Sequence, residues 1–247
     1  MRLLLTNDDG VYAIGIHALA KELSKYHDVT VLAPASQRSG FSHKICVEQS
    51  LSLERVQVEG LTCDTFATDG SPADCTRLGL YYLDKEFDAV ISGINQGSNL
   101  GTDILYSGTC GAAMEAAMHR LPALAVSLCS YNGGNFELAA KTAARVIESG
   151  ILSDLPFGIT LNLNVPNVAD EDLKGVKWVR HGYNHLLENV EKVGEGCVFH
   201  GLARQGREVP FQDDFSAIDQ GFATLTALDL DLTNLEQMAR LSVKYTF

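Results

Sequence analysis

The chain has 247 residues, of which 46% are hydrophobic and 20% are charged. This is the composition of a globular protein, and the length is sufficient for one large or two small domains. A formal net charge of −12 argues against sequence-independent binding to a nucleic-acid polymer, because such binding depends on Lys and Arg side chains that neutralise phosphates. An anionic substrate would therefore need locally placed cations, and a bound divalent metal ion is one way to supply them.

The amino-terminal residues and the cysteines indicate the compartment. A continuous apolar run of only three residues, at 3–5, precedes two acidic residues, which is too short a run for a signal peptide. No apolar stretch approaches the roughly 20 residues that cross a bilayer. The six cysteines lack Cys-x-x-Cys spacing, which indicates reduced thiols rather than a zinc site or a disulfide framework. We expect a cytoplasmic protein with no membrane partner.

Apolar strand-like segments alternate with helix-like segments along the first 165 residues or so. In chain order the pattern predicts a strand at 3–5, a helix at 16–23, strands at 28–34 and 87–92, a helix at 109–119, a strand at 123–128, a helix at 136–147 and a strand at 159–163. The strands are apolar without alternation and are separated by helices. We therefore predict an α/β fold with a Rossmann-like, mainly parallel sheet flanked by helices.

Beyond residue 166 the pattern becomes irregular. It is compatible with strands at 176–179, 197–202 and 223–228, followed by a short helix at 235–241. We interpret this part as an antiparallel, β-rich extension that includes a C-terminal β-hairpin. The predicted organisation is a single domain over 1–247, with a core at about 1–165 plus 234–247 and the extension at about 166–233.

An acidic pair, Asp8 and Asp9, comes directly after the first predicted strand. Ligands of open parallel sheets bind outside the carboxyl ends of the strands, so the pair is a site candidate. Adjacent carboxylates repel each other, and a hard cation such as Mg2+ or Mn2+ between them would relieve the repulsion. A simple turn at Asp9 and Gly10 is the structural alternative. A receiver-type signalling module is another, but the later strand runs into Asn95 rather than a phospho-accepting Asp.

Two further segments have the composition of ligand-binding loops. Residues 92–101 combine three Gly, two Asn and two Ser, and Asn95 and Asn99 would supply amide donors and acceptors there. Ser107, Gly108 and Thr109 then open a helix rich in small residues, and a helix start with free N–H groups is suited to a phosphate. A connecting loop and an ordinary N-cap are the alternatives.

A third loop follows the second strand. Arg38 could neutralise a phosphate, Ser39 could ligate a metal and His43 could carry a proton, although most such loop residues are merely solvated.

Taken together, these segments resemble the SurE family of stationary-phase survival phosphatases. The segments that carry the resemblance are 6–10, 33–40, 69–75, 92–101 and 106–109. The resemblance implies a metal-dependent nucleotidase that hydrolyses nucleoside 5'- and 3'-monophosphates, and often short polyphosphate. It also implies a Rossmann-like core, one divalent cation per subunit (Mg2+ or Mn2+), a role in stress survival, and a homodimer or homotetramer in which carboxy-terminal hairpins embrace neighbouring subunits.

The resemblance also implies roles for individual residues. The implied metal ligands are Asp8, Asp9, Ser39 and Asn95. The implied contacts to the substrate phosphate are Asn95, Asn99, Ser107, Gly108 and Thr109. Among the departures from the family pattern are Ser71, where Thr is usual, Cys110, where Val is common, and an altered segment at 221–228. None of them removes a ligand. Asp214 matches a recurring late Asp, for which we expect a structural or interface role.

The mechanism expected from these residues is in-line attack by a metal-activated water, without a covalent phosphoenzyme. Asp8 and Asp9 act through that water, while Asn95, Asn99 and the helix start stabilise the developing charge. The alternative from another class is a noncatalytic nucleotide-binding regulatory module on the same sheet. A nicotinamide oxidoreductase is disfavoured, because the first turn lacks Gly-x-Gly-x-x-Gly.

Overall fold

A nine-stranded sheet runs through the described part of the computed structural model, which covers residues 1–185, 189–200, 205–206 and 212–245. Its strands are β1 (Arg2–Thr6), β2 (Asp28–Pro34), β3 (Glu54–Arg55), β4 (Asp64–Thr68), β5 (Ala89–Gln96), β6 (Ala123–Cys129), β7 (Ile159–Pro166), β8 (Val176–Trp178) and β13 (Ala223–Asp229). Four short strands lie outside it: β9 (Asn184–His185), β10 (Asn189–Val193), β11 (Gly196–His200) and β12 (Gln205–Gly206).

The strand order is β3-β4-β2-β1-β5-β6-β7-β13-β8, and the strands from β4 to β7 are parallel to their neighbours within that run. The chain moves outward from β1 to β2 on one side and returns to β5 on the other. This reversal makes a topological switch point, where the carboxyl ends of β1 and β5 diverge and leave room for a ligand.

Helices cover both faces of the sheet. They are α1 (Ile14–Leu23), α2 (Pro72–Tyr81), α3 (Gly108–Met118), α4 (Phe136–Glu148), α5 (Asp214–Asp219) and α6 (Leu235–Lys244), with 3-10 turns at Gly101–Tyr106, Ile151–Asp154 and Asp170–Asp172. Leu3 and Leu5 pack on the side of α1 and α4, whereas Leu4 packs on the side of α2 and α3. All three leucines are fully buried, which explains why β1 is apolar without alternation. The predicted α/β fold is confirmed.

Strand β4 and helix α2 are among the elements that were not predicted from the sequence. The sequence of β4 is Asp-Thr-Phe-Ala-Thr, which has no continuous apolar run, so it lacks the usual signal of a buried strand. Helix α2 does carry a start signal, because Ser71 and Asp74 form a capping box around Pro72 at the first turn. Those residues belong to the segment 69–75, whose motif was noted for its family resemblance and not for its helix start.

Two strands from the carboxy-terminal part of the chain belong to the central sheet. Strand β13 pairs antiparallel with β7 and parallel with β8, so both late strands enlarge the central sheet. Strands β10 and β11 form the separate antiparallel hairpin that was predicted. Residues 201–202, at the end of the strand predicted over 197–202, lie outside the described residues. Helix α6, assigned to the core from its sequence, has no buried residue within the chain.

Within the described residues, no helix combines the length and the apolar character needed to cross a membrane. All six cysteines are free.

Candidate active site

The predicted site residues converge on a cavity of about 690 Å3 at the carboxyl ends of β1, β2 and β5. This volume is in the range of pockets that hold small organic ligands. The predicted residues that line it are Asp8, Asp9, Ser39, Asn95, Asn99 and Ser107. Gly108 and Thr109 are not among the lining residues, but both contact Asp8. The sequence therefore placed this group of side chains in one region of the fold.

Asp8 is nearly inaccessible to solvent and is held by the start of α3. The hydroxyl of Thr109, itself fully buried, donates a hydrogen bond to Asp8 Oδ1. Gly108 permits this approach, because a Cβ at that position would lie only 2.9 Å from the Cβ of Asp8. The sequence predicted that Thr109 contacts the substrate phosphate. In the structure its hydroxyl donates to Asp8, one of the predicted metal ligands.

Asp9 is held by a residue at the carboxyl end of β5. The backbone N–H of Gln96, the last residue of β5, donates to Asp9 Oδ2 at 2.8 Å. This bond connects the turn after β1 to the end of β5 across the switch point. The two adjacent carboxylates thus accept hydrogen bonds from different elements, Asp8 from the start of α3 and Asp9 from the end of β5.

The two carboxylates have the electrostatics of a cation site. Burial raises the pKa of Asp8 to about 6, even though the hydrogen bond from Thr109 lowers it, and the charge of Asp9 adds to the rise. Burial also raises the pKa of Asp9, against the hydrogen bond from Gln96. Two partly desolvated carboxyls side by side are costly to ionise without a positive charge. A divalent cation would supply that charge, so these residues fit such an ion.

The remaining candidate ligands are an amide and a hydroxyl. Asn95 donates its Nδ2 to the carbonyl oxygen of Gly97 at 2.8 Å, and cation binding would use its other side-chain atom, Oδ1. Ser39 is exposed, and its Oγ accepts a hydrogen bond from Gln37 Nε2 at 3.0 Å. In the part of the chain that the structure describes, no three His, Cys, Asp or Glu side chains form a metal cluster. Oxygen donors such as these suit Mg2+ or Mn2+ rather than zinc.

Asn99 is clamped by two asparagines of β7 that the sequence interpretation did not single out. Asn164 Oδ1 accepts the backbone N–H of Asn99 at 2.8 Å, and the Nδ2 atoms of Asn162 and Asn164 donate to its carbonyl oxygen at 2.9 and 3.1 Å. The side-chain Nδ2 of Asn99 donates to Ser127 Oγ at 2.8 Å. The glycine-rich loop is therefore pinned to the sheet at this residue.

The missed asparagines did leave a signal in the sequence. They occupy alternate positions in an otherwise apolar strand, Leu-Asn-Leu-Asn-Val at 161–165, and both are almost completely buried. Buried amides require hydrogen-bond partners, so two on one face of a central strand indicate that they hold a neighbouring loop.

The start of α3 has a conventional cap. Ser107 precedes the helix, and its Oγ accepts the backbone N–H of Cys110 at 3.0 Å. The first N–H groups of a helix have no partner within it, and they create a site of positive partial charge. Since Ser107 also lines the cavity, this charge lies beside the two carboxylates.

Comparisons with known proteins identify the family. The family model described as "Survival protein SurE" matches residues 3–188. The chain belongs to the SurE family. It is 40% identical over 243 residues to the "5'-nucleotidase SurE" of Clostridium beijerinckii, with 95% of each chain covered. It is also 40% identical over 244 residues to the "5'-nucleotidase SurE" of Vibrio campbellii, with 96% of this chain and 92% of the relative covered. The crystal structure of the SurE protein from Aquifex aeolicus matches with a TM-score of 0.83 at 32% identity, covering 99% of both chains.

The segment matched by the SurE model includes the residues described above, from Asp8 to Asn164. Two further residues considered from the sequence have other partners. Arg38 donates to the carbonyl oxygen of Asp69 at 3.0 Å and does not line the cavity. His43 Nε2 is hydrogen-bonded to Oε2 of Glu115, a residue of α3, at 2.7 Å, and His43 does not line the cavity either. Neither a phosphate contact for Arg38 nor a proton donor at His43 is supported by these contacts.

Asp214 lies beyond the segment matched by the SurE model and has the expected structural role. It is almost fully buried, and Oδ1 accepts the N–H groups of Gly182 and Phe215 at 2.8 and 3.0 Å. Its Oδ2 accepts the N–H of Gly101, at the end of the glycine-rich loop, at 2.8 Å. One carboxylate therefore ties the late part of the chain to the loop that borders the site.

Proposed function

We propose that the chain is a metal-dependent phosphomonoesterase that hydrolyses nucleoside 5'- and 3'-monophosphates to nucleoside and phosphate. The observation that carries the proposal is the meeting of a buried carboxylate, an adjacent half-buried one, an amide and a capped helix start around one cavity. The names of the relatives, 5'-nucleotidase SurE, support the same class of reaction.

The proposed cofactor is one divalent cation per subunit, Mg2+ or Mn2+. Asp8, Asp9, Ser39 and Asn95 would hold it, because all four line the same cavity and offer oxygen donors. When bound, such an ion adds positive charge beside the phosphate and lowers the pKa of a nearby water.

The other catalytic roles belong to the chain's own residues. The carboxylates of Asp8 and Asp9 orient the attacking water. One of them accepts the proton that the water loses, and the leaving ester oxygen takes up a proton to give the nucleoside. The N–H groups at the start of α3 and the amide of Asn95 stabilise negative charge on the equatorial phosphate oxygens. Asn99 is fixed by its partners on β7, and its position at the cavity wall supports a contact with the phosphate. Attack in line with the leaving oxygen requires no covalent phosphoenzyme.

We extend the proposal to short polyphosphate. Its terminal phosphoryl group has the same tetrahedral shape and charge as that of a nucleotide, so the same carboxylates and helix start would receive it. This extension would be tested by measuring phosphate release from tripolyphosphate and by asking whether tripolyphosphate and a nucleotide inhibit each other's hydrolysis competitively.

We also infer a homodimer or homotetramer built through the hairpin and α6. The hairpin exposes 51% of Val190 and 55% of Val193, and α6 exposes 63% of Leu235 and 55% of Met238. Exposed apolar surface of this kind is typical of subunit interfaces. Sedimentation equilibrium of the wild type and of a Leu235→Ser, Met238→Ser variant would test the assembly, since the variant should dissociate at a higher protein concentration.

Phosphate release is the decisive experiment for the reaction. Nucleoside 5'- and 3'-monophosphates are mixed with the wild type and with Asp9→Asn, in Mn2+, in Mg2+ or in EDTA. We expect turnover that both EDTA and the substitution abolish. Binding of nucleotides without phosphate release under any metal would favour the noncatalytic regulatory module instead.

A further inference from the structure

An aromatic ring on the cavity wall has no role in the proposed hydrolysis. Tyr131 follows β6, lines the cavity and leaves 63% of its surface exposed. Its ring lies against Gly97, where an added Cβ would come within 2.7 Å of Tyr131 Cε1. Gly97 also has a φ of +123°, which other residues rarely adopt. The glycine thus allows the ring to rest on the backbone of the loop that carries Asn95.

The position of Tyr131 is tied to the candidate metal ligands through one residue. The backbone N–H of Gln96 donates to Asp9 Oδ2 at 2.8 Å, while its side-chain Nε2 donates to the carbonyl oxygen of Tyr131 at 2.7 Å. The same residue therefore fixes both the carboxylate and the segment that carries the ring. A ligand bound in the cavity beside Asp9 would therefore meet a tyrosine whose backbone is held by the same residue as that carboxylate.

Two apolar side chains line the same cavity as Tyr131. Ile14, at the start of α1, lines the cavity with 62% of its surface exposed, and Phe136, at the start of α4, lines it while buried. Gly15 lets the start of α1 lie against the end of β5, because a Cβ there would lie 2.0 Å from the carbonyl oxygen of Ile94, with Phe136 Cε1 at 3.2 Å. The other tyrosine of the cavity, Tyr106, is in contrast the immediate neighbour of the polar helix cap.

We propose that Tyr131 and Ile14 form the surface that receives the planar base of the substrate. A base that stacks on the tyrosine ring while its edge covers the isoleucine would remove both exposed apolar surfaces from water. This inference depends on the proposed function, and it narrows the substrate class. The enzyme prefers monoesters that carry an aromatic base over sugar phosphates that do not.

The test compares adenosine 5'-monophosphate with ribose 5-phosphate, which has the same ester but no base. Stacking of a base on an aromatic side chain corresponds to about a 5- to 150-fold change in binding. Tyr131→Ala should lower kcat/KM for the nucleotide by a factor in that range, through a higher KM with nearly constant kcat. The kcat/KM of Tyr131→Ala for ribose 5-phosphate should differ from that of the wild type by less than about threefold. Tyr131→Phe, which keeps the ring, should restore the preference.

Two further variants serve as matched controls. Tyr82→Ala removes a tyrosine that is 71% exposed but does not line the cavity, and it should leave the ratio of the two kcat/KM values unchanged. Tyr106→Ala removes the tyrosine of the polar wall. If Tyr106→Ala, and not Tyr131→Ala, erased the preference for the nucleotide, the assigned wall would be wrong. Equal losses on both substrates with Tyr131→Ala would likewise overturn the proposal.

A binding measurement separates this inference from the proposed reaction. If the wild type released no phosphate from either compound, the proposed hydrolysis would be refuted. Calorimetric titration with the same two compounds would still test whether Tyr131 binds the base. Weaker binding of adenosine 5'-monophosphate to Tyr131→Ala, without a change for ribose 5-phosphate, would uphold it. Equal nucleotide binding by the wild type and Tyr131→Ala would refute it.

Discussion

Replacing Thr109 by valine tests the orientation of Asp8 by the start of α3. The substitution preserves shape but removes the hydroxyl that donates to Asp8 Oδ1. Both residues are buried, so water cannot readily take the place of the lost donor. We expect Asp8 to lose its fixed orientation while the fold persists.

The magnitude follows from the chemistry of this hydrogen bond. A bond to a charged group contributes about 1.5–3 kcal/mol. Loss of a residue that orients a metal ligand typically lowers metal affinity or activity about 10- to 100-fold, which corresponds to about 1.4–2.7 kcal/mol. The two estimates agree, so kcat/KM at limiting Mn2+ should fall about 10- to 100-fold in Thr109→Val.

The assay is phosphate release from a nucleoside monophosphate across a Mn2+ titration, accompanied by thermal unfolding. Thr109→Ser keeps the donor and should retain most of the activity. Thr76→Val is a matched control, because Thr76 is equally buried and donates to the carbonyl oxygen of Ala112 at 3.1 Å, away from Asp8. It should lower stability without altering the Mn2+ requirement. Wild-type Mn2+ dependence and wild-type kcat/KM in folded Thr109→Val would refute the assigned role.

Three other substitutions have defined outcomes. Asn164→Leu leaves the buried N–H of Asn99 without its acceptor, so chemical denaturation should show a loss of about 1–3 kcal/mol, and kcat/KM should fall as well. Asp214→Asn places an amide donor among three N–H donors; a similar loss is expected, and hydrogen exchange at Gly101 should accelerate. Burial alone would raise the pKa of Glu115, but hydrogen bonds from two histidines outweigh it and lower the pKa below its ordinary 4.5. Because a depressed carboxyl pKa stabilises the fold above the unfolded-state value, the stability gap between wild type and Glu115→Gln should be full at pH 6 and shrink as the pH falls below about 4.5. A gap that stayed constant into acid would contradict this assignment.

The parts of the fold that could be predicted are those with local signals. Buried strands such as β1 and β6 are continuous apolar runs, and the sheet rule then places Asp8, Ser39 and Asn95 at one edge without any knowledge of side-chain contacts. No local sequence pattern predicts that β13 lies beside β7. This antiparallel pairing, with a strand some 60 residues earlier, depends on tertiary packing.

The roles of individual polar groups were harder to predict than their location. Thr109 meets Asp8 across a sequence separation of 101 residues, and nothing local distinguishes a hydroxyl that holds a carboxylate from one that holds a phosphate. The side-chain nitrogens of Asn95 and Asn99 donate hydrogen bonds to other protein groups. Each side chain therefore has fewer hydrogen-bonding groups left for a ligand than the sequence suggests. The partner of each donor depends on packing, which a single sequence does not specify.

The clamp of Asn99 by β7 has a consequence for the entropy of ligand binding. The loop around Asn99 loses its conformational freedom when the sheet forms, so a ligand that arrives later does not have to order it. Ser39 differs, because it is exposed on a loop and has a glycine at the next position. The ordering cost of binding should therefore be concentrated in the Ser39 loop, and hydrogen exchange should slow there on ligand addition while the amides near Asn99 stay as protected as before.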